Sequence, residues 1–305
     1  MEIRFIPHNL INTTMWDSCI ETSINGCIFA YSWYLNYACV EWNALIASDY
    51  KYIMPLPVVK KGGLKIIENP PFIEYLGIFS AFTLNPEIKE AFFAAIPKEY
   101  KYIHLLMNKY SINKNLENHT EFQWTRALEI DLISNYNLTR KKYSLELIEK
   151  LNYNKSFNFV SGIQLIDLLQ LYNKNSSFAS IQLKNDHLSR LRKICMHALR
   201  ESSADIVGAY DNRNNLWAAI LFVSSHNKAH PVFYVHIKNA ENMFFYEMLL
   251  DFFIRKHSEK NLNLCIFENS RNNLILNNFG GFHSQYPLWI KKKLPFYLRF
   301  LKAFQ

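Results

Sequence analysis

Glycine and proline are scarce in this chain, 8 and 10 among 305 residues. That scarcity excludes collagen-like, low-complexity and disordered classes. No uncharged apolar stretch reaches the roughly 18 residues that read as a membrane-crossing helix. The opening Met1-Glu2-Ile3-Arg4-Phe5 lacks the charged-then-apolar pattern of a secretory signal, so the expected compartment is the cytoplasm. The cysteines, Cys19, Cys27, Cys39, Cys195 and Cys265, include no C-x-x-C pair. They are expected to be buried thiols outside any disulfide, neither ligands nor nucleophiles. No G-x-S-x-G, H-E-x-x-H or Walker A element occurs, which removes the hydrolase, metalloprotease and P-loop classes. His226 and His230 stand four apart, but polar neighbours and Pro231 place them in a loop, and no metal site is expected. Acidic residues also run out early: none follows Glu268.

What is present is core material and positive charge. Hydrophobic residues make up 50% and aromatics 15%, enough to fill two domains, and the formal charge is +8. A basic balance favours acidic partners such as RNA, phosphorylated metabolites or anionic lipid, without choosing among them. Helical periodicity at 16–22 and 29–40 precedes strand-like runs at 42–47 and 52–59, a further strand candidate at 72–79, and Asn85-Pro86-Glu87. That triplet combines an N-cap, a first-turn proline and an early acid. Strands follow at 102–107 and 124–132. The second half repeats the order: helices at 161–172 and 186–200, a hairpin across 211–215, a strand at 232–237, a helix at 239–257 and a strand at 262–267. A duplicated α/β (α+β) domain is expected, spanning 1–139 and 140–305, each with a mixed, mostly antiparallel sheet flanked by helices. Along 239–257, Glu247, Asp251 and Arg255 form one wet stripe, with Asp251 placed to pair with Arg255.

Several side chains are candidates for chemistry or binding, each beside a plainer reading. Arg190, Lys193, His197 and Arg200 share one face of the helix 186–200, a phosphate-contacting stripe or a solvated face. After Glu268 the charged residues are all basic: Arg271, Lys291, Lys292, Lys293, Arg299 and Lys302. Phe296, Tyr297 and Phe300 interleave with the last of them, a pattern suited to an RNA end or an anionic head group. The alternative is a final strand with its lysines in water. Glu268, at a strand end, is the candidate to orient or deprotonate an amine, or else caps the helix starting near Ser270. Lys60 and Lys61 either hold a phosphate or end an exposed hairpin. The segment from His236 to Asn242 has no glycine and carries Glu241, so it lacks the loop that would cradle a CoA pyrophosphate.

The stretch Leu264–Phe282 is an apolar strand ending on Glu268-Asn269-Ser270, then a helix-like run, then Phe279-Gly280-Gly281-Phe282. It resembles the last strand-helix-strand unit of the GNAT acyltransferase fold, with Asn269 and Gly281-Phe282 in the characteristic places. Phe29-Ala-Tyr31-Ser32-Trp33-Tyr34-Leu35, Met54-Pro55-Leu56-Pro57 with Lys60-Lys61-Gly62, and Pro70-Pro71-Phe72 leading to Leu76-Gly77-Ile78-Phe79 look like the first half of FemAB-type proteins. Phe267-Glu268-Asn269-Ser270 and Leu294-Pro295-Phe296-Tyr297-Leu298-Arg299 are similar to elements of their second half.

The resemblance implies two tandem GNAT-like domains with a cleft between them and transfer of an aminoacyl or acyl group onto an amine acceptor in that cleft. No bound cofactor is implied. The co-substrate would be aminoacyl-tRNA or another acyl donor, with acetyl-CoA disfavoured. The acceptor would be a small-molecule or cell-wall/lipid-type amine, and tRNA is a candidate partner. On this reading Glu268 is catalytic; Lys60, Lys61, Asn269, Ser270 and Arg299 bind substrate; and Arg190, Lys193, Arg200 and Lys291–Lys293 contact phosphate. Departures stand against it: Asn269 replaces a glycine, and Glu74-Tyr75 stands where relatives carry glutamines. A non-catalytic GNAT-like binding protein and an acetyl-CoA-dependent N-acetyltransferase are the alternatives.

Overall fold

The structure, a computed structural model, describes residues 1–112, 121–153, 156–238, 243–268 and 277–293. The chain divides into two compact units, Met1–Thr125 with Gln285–Gln305, and Arg126–Ser284.

In the first unit, β1 (Ile3–Ile6), β2 (Glu41–Ala47), β3 (Tyr52–Lys61), β4 (Leu64–Glu68) and β5 (Tyr102–Leu106) lie side by side in chain order. The last described strand, β12 (Phe282–Lys292), pairs with β5. All neighbours are antiparallel except β4 and β5. Helix α1 (Thr13–Thr22) starts at Asn12, whose side chain accepts from the Met15 N–H at 3.2 Å. It sinks Trp16 into the core against Trp42 (ring centroids 5.0 Å), with the indole N–H on the Ala30 carbonyl. Helix α2 is Ser32–Ala38. The expected cap at Asn85 starts α3 (Pro86–Ala94), its side chain accepting from the Ile88 N–H at 2.9 Å.

The second unit has the same plan. β7 (Asn158–Ser161), β8 (Ala204–Tyr210), β9 (Leu216–Ser225), β10 (Lys228–His236) and β11 (Asn263–Phe267) are adjacent in order, and β6 (Phe122–Asp131) pairs with β11. Only β10 and β11 run parallel. Its helices are α4 (Tyr136–Arg140), α5 (Leu145–Tyr153), α6 (Leu165–Asn175), α7 (Asn185–Arg200) and α8 (Phe245–His257). α8 buries Phe245, Leu249, Phe253 and Ile254 against Val207, Phe222, Leu264 and Ile266, with Phe222 and Phe253 stacked at 4.0 Å. α7 buries Leu191, Ile194, Cys195 and Ala198. Each unit is therefore antiparallel apart from one parallel pair, and each is closed by a strand distant in sequence from its other members.

Four departures from the sequence reading bear on the sites. The run 72–79 is no strand; only its end pairs, Leu76 with Met107 and Phe79 with Ile53, because Pro70-Pro71 and the positive φ of Phe72 force the chain outward first. The strand at 232–237 begins at Lys228, joined to β9 through His226-Asn227, both at positive φ as a tight hairpin turn requires. His230 therefore lies inside a strand, not a loop. The third departure is the wet stripe on α8. Glu247 is 5% exposed, with Lys150 of α5 at 3.8 Å, and Asp251 accepts from the Tyr136 hydroxyl at 2.9 Å. Arg255 instead stacks over the Tyr136 ring at 5.9 Å. α4 and α5 cover the face expected to be wet, and α5, the fourth departure, had no place in the expected order. All five cysteines are buried. Among the described residues no helix is long and apolar enough to cross a membrane.

A polar clamp ties the edge of the second sheet to α8. Asp205 accepts from the Ser161 hydroxyl (2.8 Å), the Gly162 N–H (3.1 Å) and Lys256 Nζ (2.9 Å), and Lys256 also meets Ser161. Burial opposes ionisation, yet the hydrogen bonds from Lys256 and Ser161, with His257 Nε2 4.0 Å away, outweigh it and hold the carboxyl well below its ordinary range. A depressed folded pKa gives stability that is present above the unfolded value and lost as pH falls through the folded one. Asp205→Asn is expected to cost about 1–2 kcal/mol at pH 7, the exposed part of Lys256 being screened. In denaturant titrations the difference from wild type should shrink below about pH 4.

Candidate functional site

The parallel pair in each unit parts soon after it forms. In the second unit β10 and β11 pair only at Lys228–Asn263 and Ala229–Leu264. Beyond that, β10 follows β9 as far as His236 and β11 follows β6 as far as Phe267, so a wedge opens between them. β10 carries a bulge between Pro231 and Phe233, a device that re-aims backbone and side chains beside a site. The α6–α7 connection enters the wedge. Ser180 donates its N–H to the Tyr234 carbonyl (2.7 Å), and its hydroxyl accepts from the Tyr234 N–H (3.0 Å).

Strand alternation puts Lys228, His230, Cys265, Phe267 and Glu129 on one face at the root of this wedge. Glu129 is 3% exposed and pairs with Lys228 Nζ at 3.4 Å. His230 is 1% exposed, its ring stacked 6.3 Å from that of Phe267. Burial, with Lys228 adding to it, pushes the imidazole down to about 3. It is neutral at physiological pH and too weak a base to take a proton from an ammonium group. Glu268 follows β11: its N–H donates to the Arg126 carbonyl at 2.9 Å, and its carboxylate lies 3.9 Å from Arg126 Nε.

In the first unit β4 and β5 pair only at Ile67–Ile103 and Glu68–His104. Residues 69–75 then leave the sheet as a pinned loop. Asn69 accepts from the Leu106 N–H at 2.6 Å, and the Tyr34 hydroxyl donates to the Phe72 carbonyl at 2.6 Å. Phe72 is held at φ +74°, a sparsely populated conformation for a bulky residue. The chain rejoins β5 where the Leu76 N–H donates to Leu106 O (3.0 Å) and the Asn108 N–H to Leu76 O (2.6 Å). Gly77, at φ +141°, is required there: a Cβ would stand 2.3 Å from Ser111 Oγ and 2.6 Å from Asn108 Nδ2. Glu74 sits in this loop. Burial alone pushes its carboxyl up to about 7, and among the described residues nothing donates to it.

Of the residues singled out in the sequence, Lys61 and Lys292 are brought together. Both lower the pKa of His104, after burial, which places them around one face of the first sheet. Lys61 is already paired with Glu68 at 2.5 Å. Lys60, Lys292 and Lys293 are exposed and Lys291 is half-buried. On α7, Arg190 lies 3.8 Å from Asp186 and Arg200 3.1 Å from Glu201, so two cations of the stripe are engaged with acids, while Lys193 is exposed. Asn269, Ser270 and Arg299 lie outside the described residues, as do Arg271 and Lys302. The sequence reading missed the Glu129–Lys228 pair. Its only signal was an acid inside the apolar run Ala127–Ile130.

No family model matches the sequence, and no curated protein sequence matches it. Solved structures do match along nearly the whole chain. FemX superposes with a TM-score of 0.62 at 9% identity, covering 96% of this chain and 98% of that one. L-PGS from Bacillus licheniformis gives 0.59 at 11%, covering 98% and 96%. A tandem GNAT protein from the clavulanic acid biosynthesis pathway gives 0.54 at 10%, covering 96% and 99%. The fold is that of a tandem GNAT protein. At these identities the likeness is one of fold. The tandem GNAT-like architecture explains why two units with the same strand order and the same parted parallel pair occur in one chain.

Proposed function

We propose that the protein is a FemAB-like acyltransferase that moves an aminoacyl or other acyl group onto an amine acceptor. The observation that carries this reading is the parted pair β10/β11 with the bulge on β10. It re-aims backbone groups of β10 where a reacting carbonyl can be held, next to the stretch of that edge which Ser180 occupies. Acetyl-CoA is disfavoured as donor. The segment 236–244 has no glycine, and the first turn of α8 carries the buried carboxyl of Glu247, where a pyrophosphate would need positive potential. Aminoacyl-tRNA suits the net charge of +8 and the exposed Lys193, Lys292 and Lys293. The acceptor is a small-molecule or cell-wall/lipid-type amine.

A second reading, a GNAT-like protein that binds without catalysis, is favoured by Ser180 bridging Tyr234 inside the wedge and by the inert His230. Binding of charged bulk tRNA and of acetyl-CoA, each measured at about 50 mM and 200 mM salt, separates the readings. The acyltransferase reading expects charged tRNA to bind with an affinity falling at least tenfold over that range, and acetyl-CoA to bind weakly. Tight acetyl-CoA binding would contradict the donor assignment, and binding of neither would favour the non-catalytic protein.

A further inference from the structure

We infer that the groove beside the β8–β9 turn of the second unit is a seat for one nucleotide. The base lies on Trp217 and Phe157, and the phosphate meets Arg213. The groove, about 640 Å³, has a floor of Phe157, Trp217 and Ile237 and a rim of Asn212, Arg213 and Asn215. None of these residues belongs to the root of the β10/β11 wedge, so the seat does not depend on acyl transfer. One carboxylate fixes the turn. Asp211 accepts from the backbone N–H groups of Arg213 (2.9 Å) and Asn215 (2.8 Å), from Asn215 Nδ2 (2.9 Å) and from Trp217 Nε1 (3.0 Å). Asn214, at φ +63°, turns the chain back, and its N–H donates to the Asp211 carbonyl at 3.0 Å. An indole tethered through its in-plane N–H keeps its orientation while its π-face stays available to another ring. Phe157 stands edge-on to Trp217 at 5.2 Å and is itself backed edge-on by Phe245 at 4.8 Å. The Ile237 N–H donates to the Trp217 carbonyl at 2.9 Å and fastens the far wall. The floor is therefore preorganised, which lowers the ordering cost of binding.

Two needs of the groove are unmet. Trp217 and Phe157 are each half-buried and line it, so part of their ring surface faces water. Arg213 is exposed on the rim, and among the described residues no carboxylate pairs with its guanidinium. Asp211 takes only the Arg213 backbone N–H, and its oxygens are already met by the donors of the turn. A ligand cation therefore gains little here, whereas an anion meets the planar fork of donors on Arg213. A neutral sugar would cover the rings and leave the guanidinium unanswered. A phosphate alone would answer the guanidinium and leave the rings wet. A base joined to a phosphate satisfies both, since every base has a π-face and Arg pairs phosphate through parallel N–H groups. Asn212, exposed beside Arg213, supplies an amide of the kind that meets a base edge.

That chemistry has two sources, a free nucleotide or an unpaired RNA end. The probes are adenosine monophosphate and a single-stranded RNA hexamer, with adenosine and N-acetylglucosamine as controls. The readout is the Trp217 indole N–H resonance of the isotope-labelled full chain, identified among the six indoles by its loss in Trp217→Phe. The probes are expected to move that resonance. Adenosine monophosphate should bind roughly fivefold or more tightly than adenosine, and Arg213→Gln, a change at an exposed side chain, should remove that difference. A hexamer that binds more tightly than the mononucleotide, with a salt slope smaller by about one in Arg213→Gln, assigns the seat to an RNA end. A mononucleotide that binds at least as tightly as the hexamer assigns it to a free nucleotide. A Trp217 resonance moved by neither probe would overturn the seat. So would equal affinity of wild type and Arg213→Gln for adenosine monophosphate, or adenosine or N-acetylglucosamine binding as tightly as the nucleotide.

Discussion

A chain ended after Ser284 is expected to lose the first unit and keep the second. The closing strand β12 places Tyr286, Pro287 and Trp289 in the first core, and Leu288–Lys292 form the ladder to β5. Trp289 stands edge-on to Phe93 at 4.8 Å, lies stacked 6.2 Å from Phe122, and donates its indole N–H to Glu121 at 3.1 Å. Removing one large buried aromatic costs about 3–5 kcal/mol, and two are lost here together with a strand. A domain has only about 5–15 kcal/mol in hand. The second unit, Arg126–Ser284, keeps its own closing strand β6. Amide exchange should therefore collapse across β2–β5 while β8–β11 stay protected, and the urea m-value should fall towards that of one unit. Protection retained along β5 would contradict the assignment.

Gly280→Ala is expected to destabilise the second unit by about 3 kcal/mol or more. Gly280 lies at φ +64°, and a Cβ there would stand 2.1 Å from the Lys142 carbonyl oxygen and 2.6 Å from the Lys142 Cβ. The neighbouring backbone has no room to retreat. Ser144 donates its N–H to Asn278 O at 2.9 Å, and Phe279 is fully buried against Tyr143 at 5.2 Å. Gly63 is the control: its φ is +78°, but nothing lies within 4 Å of its missing Cβ. Gly63→Ala should cost only about 1 kcal/mol, the backbone term alone. In thermal unfolding the Gly280 variant should melt roughly 6–12 °C lower. Equal shifts for the two variants would contradict the packing described.

What the sequence disclosed was local. Asn85-Pro86-Glu87 announced a helix start, the apolar runs on either side of 211–215 announced a hairpin, and Phe279-Gly280-Gly281 announced a sharp turn. Each depends on residues within a few positions of one another. The exchange of closing strands was not legible, because β12 meets β5 through pairs such as Leu288–Leu106 and β6 meets β11 through Leu128–Ile266. Nothing in the composition of those strands names a partner so far away. The sites failed for a related reason. Glu247 sat at helical spacing with Asp251 and read as wet, yet α5 covers it. Glu74 read only as an unusual residue, since its lack of a partner emerges when the loop around it is pinned. The basic residues were visible as a pattern, and Asp186 four residues before Arg190 was a legible pair, but the engagement of Lys61 with Glu68 depends on the pairing of β3 with β4.

The proposed transfer of an acyl group from charged tRNA to an amine is tested by following the label. Bulk tRNA charged with radiolabelled amino acids is incubated with the purified protein and a mixture of primary amines at low salt. Protein-dependent movement of label from tRNA into an amide that survives mild alkali is expected, abolished when salt is raised. Label that stays on tRNA or appears only as free amino acid, while acetyl-CoA under the same conditions acetylates the amines, would contradict it.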